Sequence, residues 1–192
     1  MNPYLQKIKN FAEYLSDEVR ESIERTYSHK KYTKGEFLLK PGQVCDGHFM
    51  IDKGIARMYS LHDGKEITTA IYFEGGVAIS FDSYILQKSS QVYIEALTDL
   101  EVTKVGYRQF QIEKQKHPEL IELEKLFVEI HAANFEKQVQ EERTLNATER
   151  YLKLLKQEPQ IIQFIPLTIV ASYLNISLET LSRIRAKIVQ KH

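Results

Sequence analysis

Apolar and polar positions change their rhythm along the chain. Between residues 35 and 97, the short apolar runs GEFLL, HFMI, IARMYSL, EITTAIYF and QVYIEAL are separated by the turn signals KPGQ, DKG, HDGK and FEGG. Runs of this length, bounded by Gly, Pro and Asp, predict strands. Ile67, Thr69, Ile71 and Phe73 alternate with Thr68, Ala70 and Tyr72, a period of two that gives that strand two unlike faces. Many short strands imply a barrel or jelly roll, because a long sheet must close or fold over itself to hide its edges.

From Tyr107 the period lengthens. Pro118 can open a helix at its first turn, and ELIELEKLFVEIHAANFEKQVQEER follows with Leu120, Leu123, Phe127 and Ile130 on one stripe. At 1.5 Å per residue this is a helix of about 35–40 Å. Its spacing suits a partner helix, and packing wholly on its own domain is the plainer alternative. LNATERYLKLLKQEP predicts a shorter helix with Thr148 as N-cap, Tyr151, Leu152, Leu154 and Leu155 buried, and a stop before Pro159. After QIIQFIP come two more helices. The first buries Val170, Ala171 and Leu174; the second starts at Ser177 and buries Leu181, Ile184 and Ile188.

The glycines sharpen this division. All eight lie between Gly35 and Gly106. Glycine supplies the positive backbone angles of tight turns and costs about 1 kcal/mol inside a helix, so its distribution marks a turn-rich β region followed by a helical one. The net charge of zero also conceals a partition. Residues 1–142 hold 18 Lys+Arg against 23 Asp+Glu, whereas residues 143–192 hold 8 against 3, so −5 is balanced by +5. A small basic helical module on an acidic β domain points to nucleic acid. With 43% hydrophobic and 27% charged residues, disorder, collagen-like sequence and a coiled-coil rod are excluded. Cys45, the single cysteine, cannot form an intramolecular disulfide or a multi-thiolate metal site. The N-terminal segment reads as neither a signal peptide nor a membrane span. A cytoplasmic protein without a cofactor is expected.

VASYLNISLETLSRIRAKI has the spacing of a helix pair that reads DNA. Ala171 is small where two helices cross, Asn175 tolerates a left-handed turn, and Ser177 caps a helix whose free N–H groups and positive dipole end suit a phosphate. Leu178, Glu179, Ser182, Arg183 and Lys187 project away from the buried stripe. Arg183 can bond guanine bidentately, Glu179 can accept from a cytosine amino group or orient Arg183, and Leu178 can meet a thymine methyl. Thr180 and Arg185 are placed for phosphates. An amphipathic helix with a solvated charged face is the alternative.

The Gly-rich β region, the long helix, ATERYLKLL and above all SLETLSRIR together resemble the Crp/Fnr family of bacterial transcription regulators, particularly its short Bacteroidetes-type members. The resemblance implies an α+β chain in three parts. Residues 1–117 would be a jelly-roll β-barrel sensory domain, cyclic-nucleotide-binding-like, with N-terminal helices. Residues 118–142 would be a long dimerisation helix pairing through Leu120, Leu123, Phe127 and Ile130. Residues 143–192 would be a winged helix-turn-helix whose wing comes mainly from QIIQFIP. Carried over residue by residue, Ser177 and Thr180 contact phosphate and Glu179 and Arg183 read base edges, with Thr168, Leu178, Ser182, Arg185 and Lys187 completing the set. The implied partners are double-stranded DNA, a second copy of the chain and RNA polymerase, with no membrane and no enzymatic activity.

The sensory site departs from the family. Where cyclic-nucleotide binders place a glutamate on the ribose and an arginine on the phosphate, this chain has Ser80 and Ser90. Ser80, Phe81, Asp82, Ser89 and Ser90 are the candidate pocket residues, and Lys88 is the one nearby substitute cation. An unpaired phosphate in such a pocket is costly, so cyclic nucleotide is not the expected ligand. An iron–sulfur cluster lacks its cysteines. His48, His62, His117 and His131 are candidate haem ligands, although a lone histidine is more often structural. Tyr59, Tyr72, Phe73, Phe81 and Tyr84 are read as barrel core rather than as pocket walls. The competing function is a cupin-like small-molecule binding protein or enzyme without DNA binding.

Overall fold

The computed structural model describes residues 11, 13–159 and 161–189. Helix α1 (Asp17–Glu24) is capped by Ser16, whose hydroxyl accepts from the Val19 N–H at 3.3 Å. Eight strands follow: β1 (Tyr27–Tyr32), β2 (Phe37–Leu39), β3 (Gly47–Lys53), β4 (Ala56–His62), β5 (Lys65–Tyr72), β6 (Val77–Ala78), then, after the short helix α2 (Phe81–Leu86), β7 (Tyr93–Ala96) and β8 (Leu100–Gly106). They form two antiparallel four-stranded sheets, ordered β1-β8-β3-β6 and β2-β7-β4-β5. Alternation places Phe49 and Ile51 of β3 and Leu100 and Val102 of β8 in the core between the sheets, with Ile94 and Ala96 of β7 facing them. Full burial of the Phe, Ile, Leu and Val side chains among these stabilises the fold by about 1.5–3 kcal/mol each.

The turns form where the sequence supplies the residues for them. HDGK makes a two-residue hairpin in which Asp63 and Gly64 both take positive φ (49° and 75°), the twist that matches paired strands. Gly54 sits at φ +93°, and a Cβ there would collide with the Asp99 carbonyl. The five predicted strands correspond to β2, β3, β4, β5 and β7. The structure adds β1, β6 and β8. β1, YSHKKY, carries no apolar alternation because it is an edge strand with three consecutive exposed residues.

After β8 come α3 (Tyr107–Lys116), the long α4 (Glu119–Thr144), α5 (Ala147–Gln157), the single turn α6 (Ile161–Phe164), α7 (Leu167–Tyr173) and α8 (Leu178–Val189). At 1.5 Å per residue the 26-residue α4 is about 39 Å long. Two sequence expectations change here. The N-cap of α5 is Asn146 rather than Thr148: its side chain accepts from the Thr148 and Glu149 N–H groups, and Glu149 returns to the Asn146 N–H at 2.8 Å, a capping box. QIIQFIP forms no wing; among the described residues no strand follows Gly106. Pro159 and Pro166 bracket that segment, and neither can donate to a strand ladder. Instead Ile161 and Ile165, joined by a 2.9 Å backbone hydrogen bond, bury in the C-terminal core.

That second core is shared between the two halves of the chain. Tyr151, Leu154, Val170, Leu174, Leu181 and Ile184 pack with Ile55 and Leu97 of the β domain, and Ile71 and Phe73 close on the same cluster. The apolar face predicted for β5 therefore serves the C-terminal helices at its far end, while Tyr72 turns into the jelly-roll core. No helix among the described residues is long and apolar enough to cross a membrane.

Candidate functional site

The α7–α8 pair is set by three local features. Asn175, in the turn, adopts φ +52°. Its amide bonds the Ser172 carbonyl at 3.0 Å, and the next amide, Ile176, bonds the Ala171 carbonyl at 3.0 Å. Ala171 is buried at the crossing. Ser177 then accepts the Thr180 N–H at 3.2 Å, the capping bond of α8.

Leu181 and Ile184 bury beneath α8 and Ile188 packs beside them. The candidate readers lie opposite: Leu178, Glu179, Ser182, Arg183 and Lys187 are exposed, Thr180 and Arg185 are half-buried, and Thr168 is exposed near the start of α7. They are pre-arranged. Ser177 donates its hydroxyl to the Thr180 hydroxyl (3.1 Å), which also accepts from the Arg183 guanidinium (3.1 Å). The Glu179 carboxyl is held below the ordinary carboxylate range, first by its own backbone N–H and the Ser177 hydroxyl and then by the Arg183 charge. This leaves an acceptor and a fork of donors one helical turn apart at the positive end of a helix.

Polar links run from α7 to β5, from α5 to the end of α7, and from α5 back to α4. The Ser172 hydroxyl accepts the Thr68 N–H (2.9 Å) and donates to the Glu66 carbonyl (3.0 Å), so α7 is fastened to the outer edge of β5. The Arg150 guanidinium donates to the Leu145 carbonyl at 2.7 Å and to the Leu174 carbonyl at 3.0 Å. Lys153 pairs with Glu141 at the end of α4.

In the β domain the candidate pocket residues separate. Ser80 and Ser90 do meet: their hydroxyls are 3.0 Å apart and both residues are buried. They join a compact polar cluster in which the Ser83 hydroxyl accepts the Cys45 N–H at 2.9 Å and donates to the Lys88 carbonyl at 2.5 Å. Asp82 is exposed at the start of α2, where its carboxylate pairs with the Lys88 ammonium at 3.3 Å. Lys88, the cation expected to substitute for a phosphate-binding arginine, is thus already paired at the surface. Ser89 is exposed, and Phe81 stacks on His131 of α4 with ring centroids 3.9 Å apart. The buried Arg57 is likewise committed, to Glu66 and Glu95, each at 2.7 Å.

The predicted pairing stripe of α4 is also placed differently. Leu120 is buried and Leu123 packs beside it in the cluster with Val105 and Phe110, Phe127 packs against the jelly-roll core, and Ile130 is buried. This face covers the chain's own β domain, because α4 crosses the outer side of the first sheet before leaving it. A second apolar row, adjacent to the first in sequence, faces outward: Ile121, Val128 and Phe135 are exposed at seven-residue intervals, with Ala132 and Val139 between and beyond them.

Among the described residues no three His, Cys, Asp or Glu side chains gather as a metal site would require. The cyclic nucleotide-binding domain family matches residues 29–117. No curated protein matches the sequence. Among solved structures, the chain is similar to FixK2 from Bradyrhizobium japonicum, with a TM-score of 0.69 and 18% identity over 86% of this chain and 85% of that one. It is similar to the c-di-GMP responsive global regulator CLP of Xanthomonas campestris, with a TM-score of 0.68 and 14% identity over 92% and 93%. It is similar too to a Eubacterium rectale protein described as a transcriptional regulator of the Crp/Fnr family, with a TM-score of 0.68 and 20% identity over 94% and 88%. Residues 29–117 therefore match the cyclic nucleotide-binding domain family, and the chain as a whole shares the fold of these solved structures.

Proposed function

We propose that the chain is a homodimeric DNA-binding transcription regulator whose β domain answers to a signal other than a cyclic nucleotide. One observation carries this reading: a capped helix, α8, exposes Leu178, Glu179, Ser182 and Arg183 opposite its buried stripe, in a segment with a charge of +5. Arg183 reads a guanine edge and Glu179 a cytosine amino group or the orientation of Arg183. Ser177, Thr180, Arg185, Lys187 and Thr168 hold the phosphates. Two copies pair through the outward row of α4, Ile121, Val128, Ala132, Phe135 and Val139. Their heptad spacing is what a partner helix of the same kind accepts.

The signal changes DNA affinity only so far as it binds the two arrangements of the dimer differently. A cyclic nucleotide is disfavoured because Ser80 and Ser90 satisfy each other and Lys88 is paired with Asp82. The test is selection of bound sequences from a random duplex pool at two salt concentrations. A dyad-related motif with half-sites about 34 Å apart and an affinity that falls with salt is expected. A pool with no enriched dyad motif would overturn the reading in favour of a binding protein that does not use DNA.

A further inference from the structure

A cavity of about 380 Å³ lies between the outer face of the β1-β8-β3-β6 sheet and helices α2, α3 and α4. His48, Met50 and Asp52 of β3 line it, Ile51 and Tyr84 border both it and the jelly-roll core, Phe49 faces the core alone, and neither Ser80 nor Ser90 borders the cavity. Its walls are mostly apolar and rich in rings, with Tyr27, Phe81, Tyr84, Phe110 and Phe127. Ile85 and Val128 line it yet remain exposed, which marks its opening.

Besides the Tyr27 and Tyr84 phenols, three polar side chains border the cavity: His48, Asp52 and Glu124. Two are already engaged. Asp52 accepts the Thr103 hydroxyl at 2.8 Å, and Glu124 is paired with Lys114. His48 is different. Its ring stacks on Phe127, with centroids 5.4 Å apart and planes 25° apart, and stands edge-on to Tyr84 at 6.0 Å. Its Nδ1 is buried and finds no hydrogen-bond partner among the described residues. A buried polar atom without a partner costs stability, and each such group in a native fold calls for an explanation.

We propose that this cavity binds an uncharged, largely apolar molecule, aromatic in part, whose hydroxyl hydrogen-bonds His48 Nδ1. A hydroxyl both donates and accepts, so it satisfies either tautomer of the ring. A carboxylate or phosphate can only accept, and it would enter beside two carboxylates with no Lys or Arg on the wall. His48 supplies no countercharge, since burial pushes its pKa down to about 4 and keeps the ring neutral. The volume is at the small end of ligand sites, roughly 300–1,000 Å³, which suits a fused bicyclic or a substituted single ring.

Because Val128 belongs both to the cavity mouth and to the outward row of α4, occupancy would be felt where two copies meet. That regulatory consequence rests on the dimeric reading above; binding itself does not. The test uses naphthol and naphthoate as probes on the full chain, by fluorescence titration and thermal melting, in wild type and His48→Phe. The substitution keeps the stack on Phe127 and removes the nitrogens. Naphthol should saturate the wild type, naphthoate should bind at least tenfold more weakly, and His48→Phe should lose about tenfold for naphthol while melting no lower than wild type when unliganded. Equal naphthol affinity in both proteins, or naphthoate binding as well as naphthol, would overturn the assignment. Should His48→Phe not fold, the nitrogen NMR signal of His48 in wild type decides: it should move on naphthol addition, and an unmoved signal refutes the contact. Neither readout involves DNA, so this proposal and the DNA-binding one fail independently.

Discussion

Ser172→Ala isolates the link between the helix pair and the β domain. The serine hydroxyl makes two hydrogen bonds to the backbone of β5, at 2.9 Å from Thr68 and 3.0 Å to Glu66. A hydrogen bond of this kind contributes about 1 kcal/mol net, and an orphaned buried donor costs about 1–3 kcal/mol. Thr68 is only 4% exposed, so its amide regains water only if α7 lifts from the strand. The expected loss of docking is therefore about 2 kcal/mol, or about 30-fold in the docked-to-undocked ratio. Amide hydrogen exchange measures it residue by residue. Thr68 should exchange about 30-fold faster in the variant, while Leu174, whose N–H bonds Val170 at 3.0 Å inside the C-terminal module, should be unchanged. If Thr68 keeps its protection, Ser172 does not hold the edge. If Leu174 accelerates equally, the loss is one of C-terminal folding and not of docking.

Further outcomes follow from other parts of the structure. Arg183→Ala should cost about 1–3 kcal/mol and relax selectivity at one base pair, whereas Lys187→Ala should weaken all duplexes alike; a filter-binding comparison of matched and mismatched sites separates them. Phe135 is 63% exposed, so Phe135→Glu should leave the monomer's melting temperature unchanged yet shift the chain to monomer in sedimentation equilibrium. Asn146→Ala removes the capping box of α5 and should cost about 1 kcal/mol in denaturant unfolding. The depressed pKa of His48 means that the unfolded chain binds its proton first. Its contribution to stability should be complete above about pH 6.5 and decline as pH falls toward about 4, and His48→Phe should flatten that part of the stability profile.

What the sequence revealed was mostly local. HDGK, Asn175 and Ser177 specify their turns and caps within a few residues, so backbone chemistry alone identifies them. The long helix was legible as a helix, but its partner was not. α4 carries two apolar rows, and a periodicity says that a face is covered without saying by what; Leu120 and Phe127 turn out to cover the β domain, leaving Val128 and Phe135 outside. β1 escaped notice because an edge strand with one solvated face needs few apolar residues. The cavity had no local signal at all. His48, Phe81, Phe110 and Phe127 come from four different elements, and only the packing of α4 across the sheet brings them together.

The fastening of α7 to β5 has a second effect. β5 is the last strand of its sheet, and a bare strand edge is a template on which another chain can add a strand. With α7 against it and Ser172 occupying the Thr68 and Glu66 backbone groups, that edge is shielded. Ile67, in the same stretch, is already 43% exposed. Any state that frees the helix pair thus also uncovers a sticky border, and the chain's resistance to clumping is tied to the same hydroxyl that sets the position of its C-terminal module.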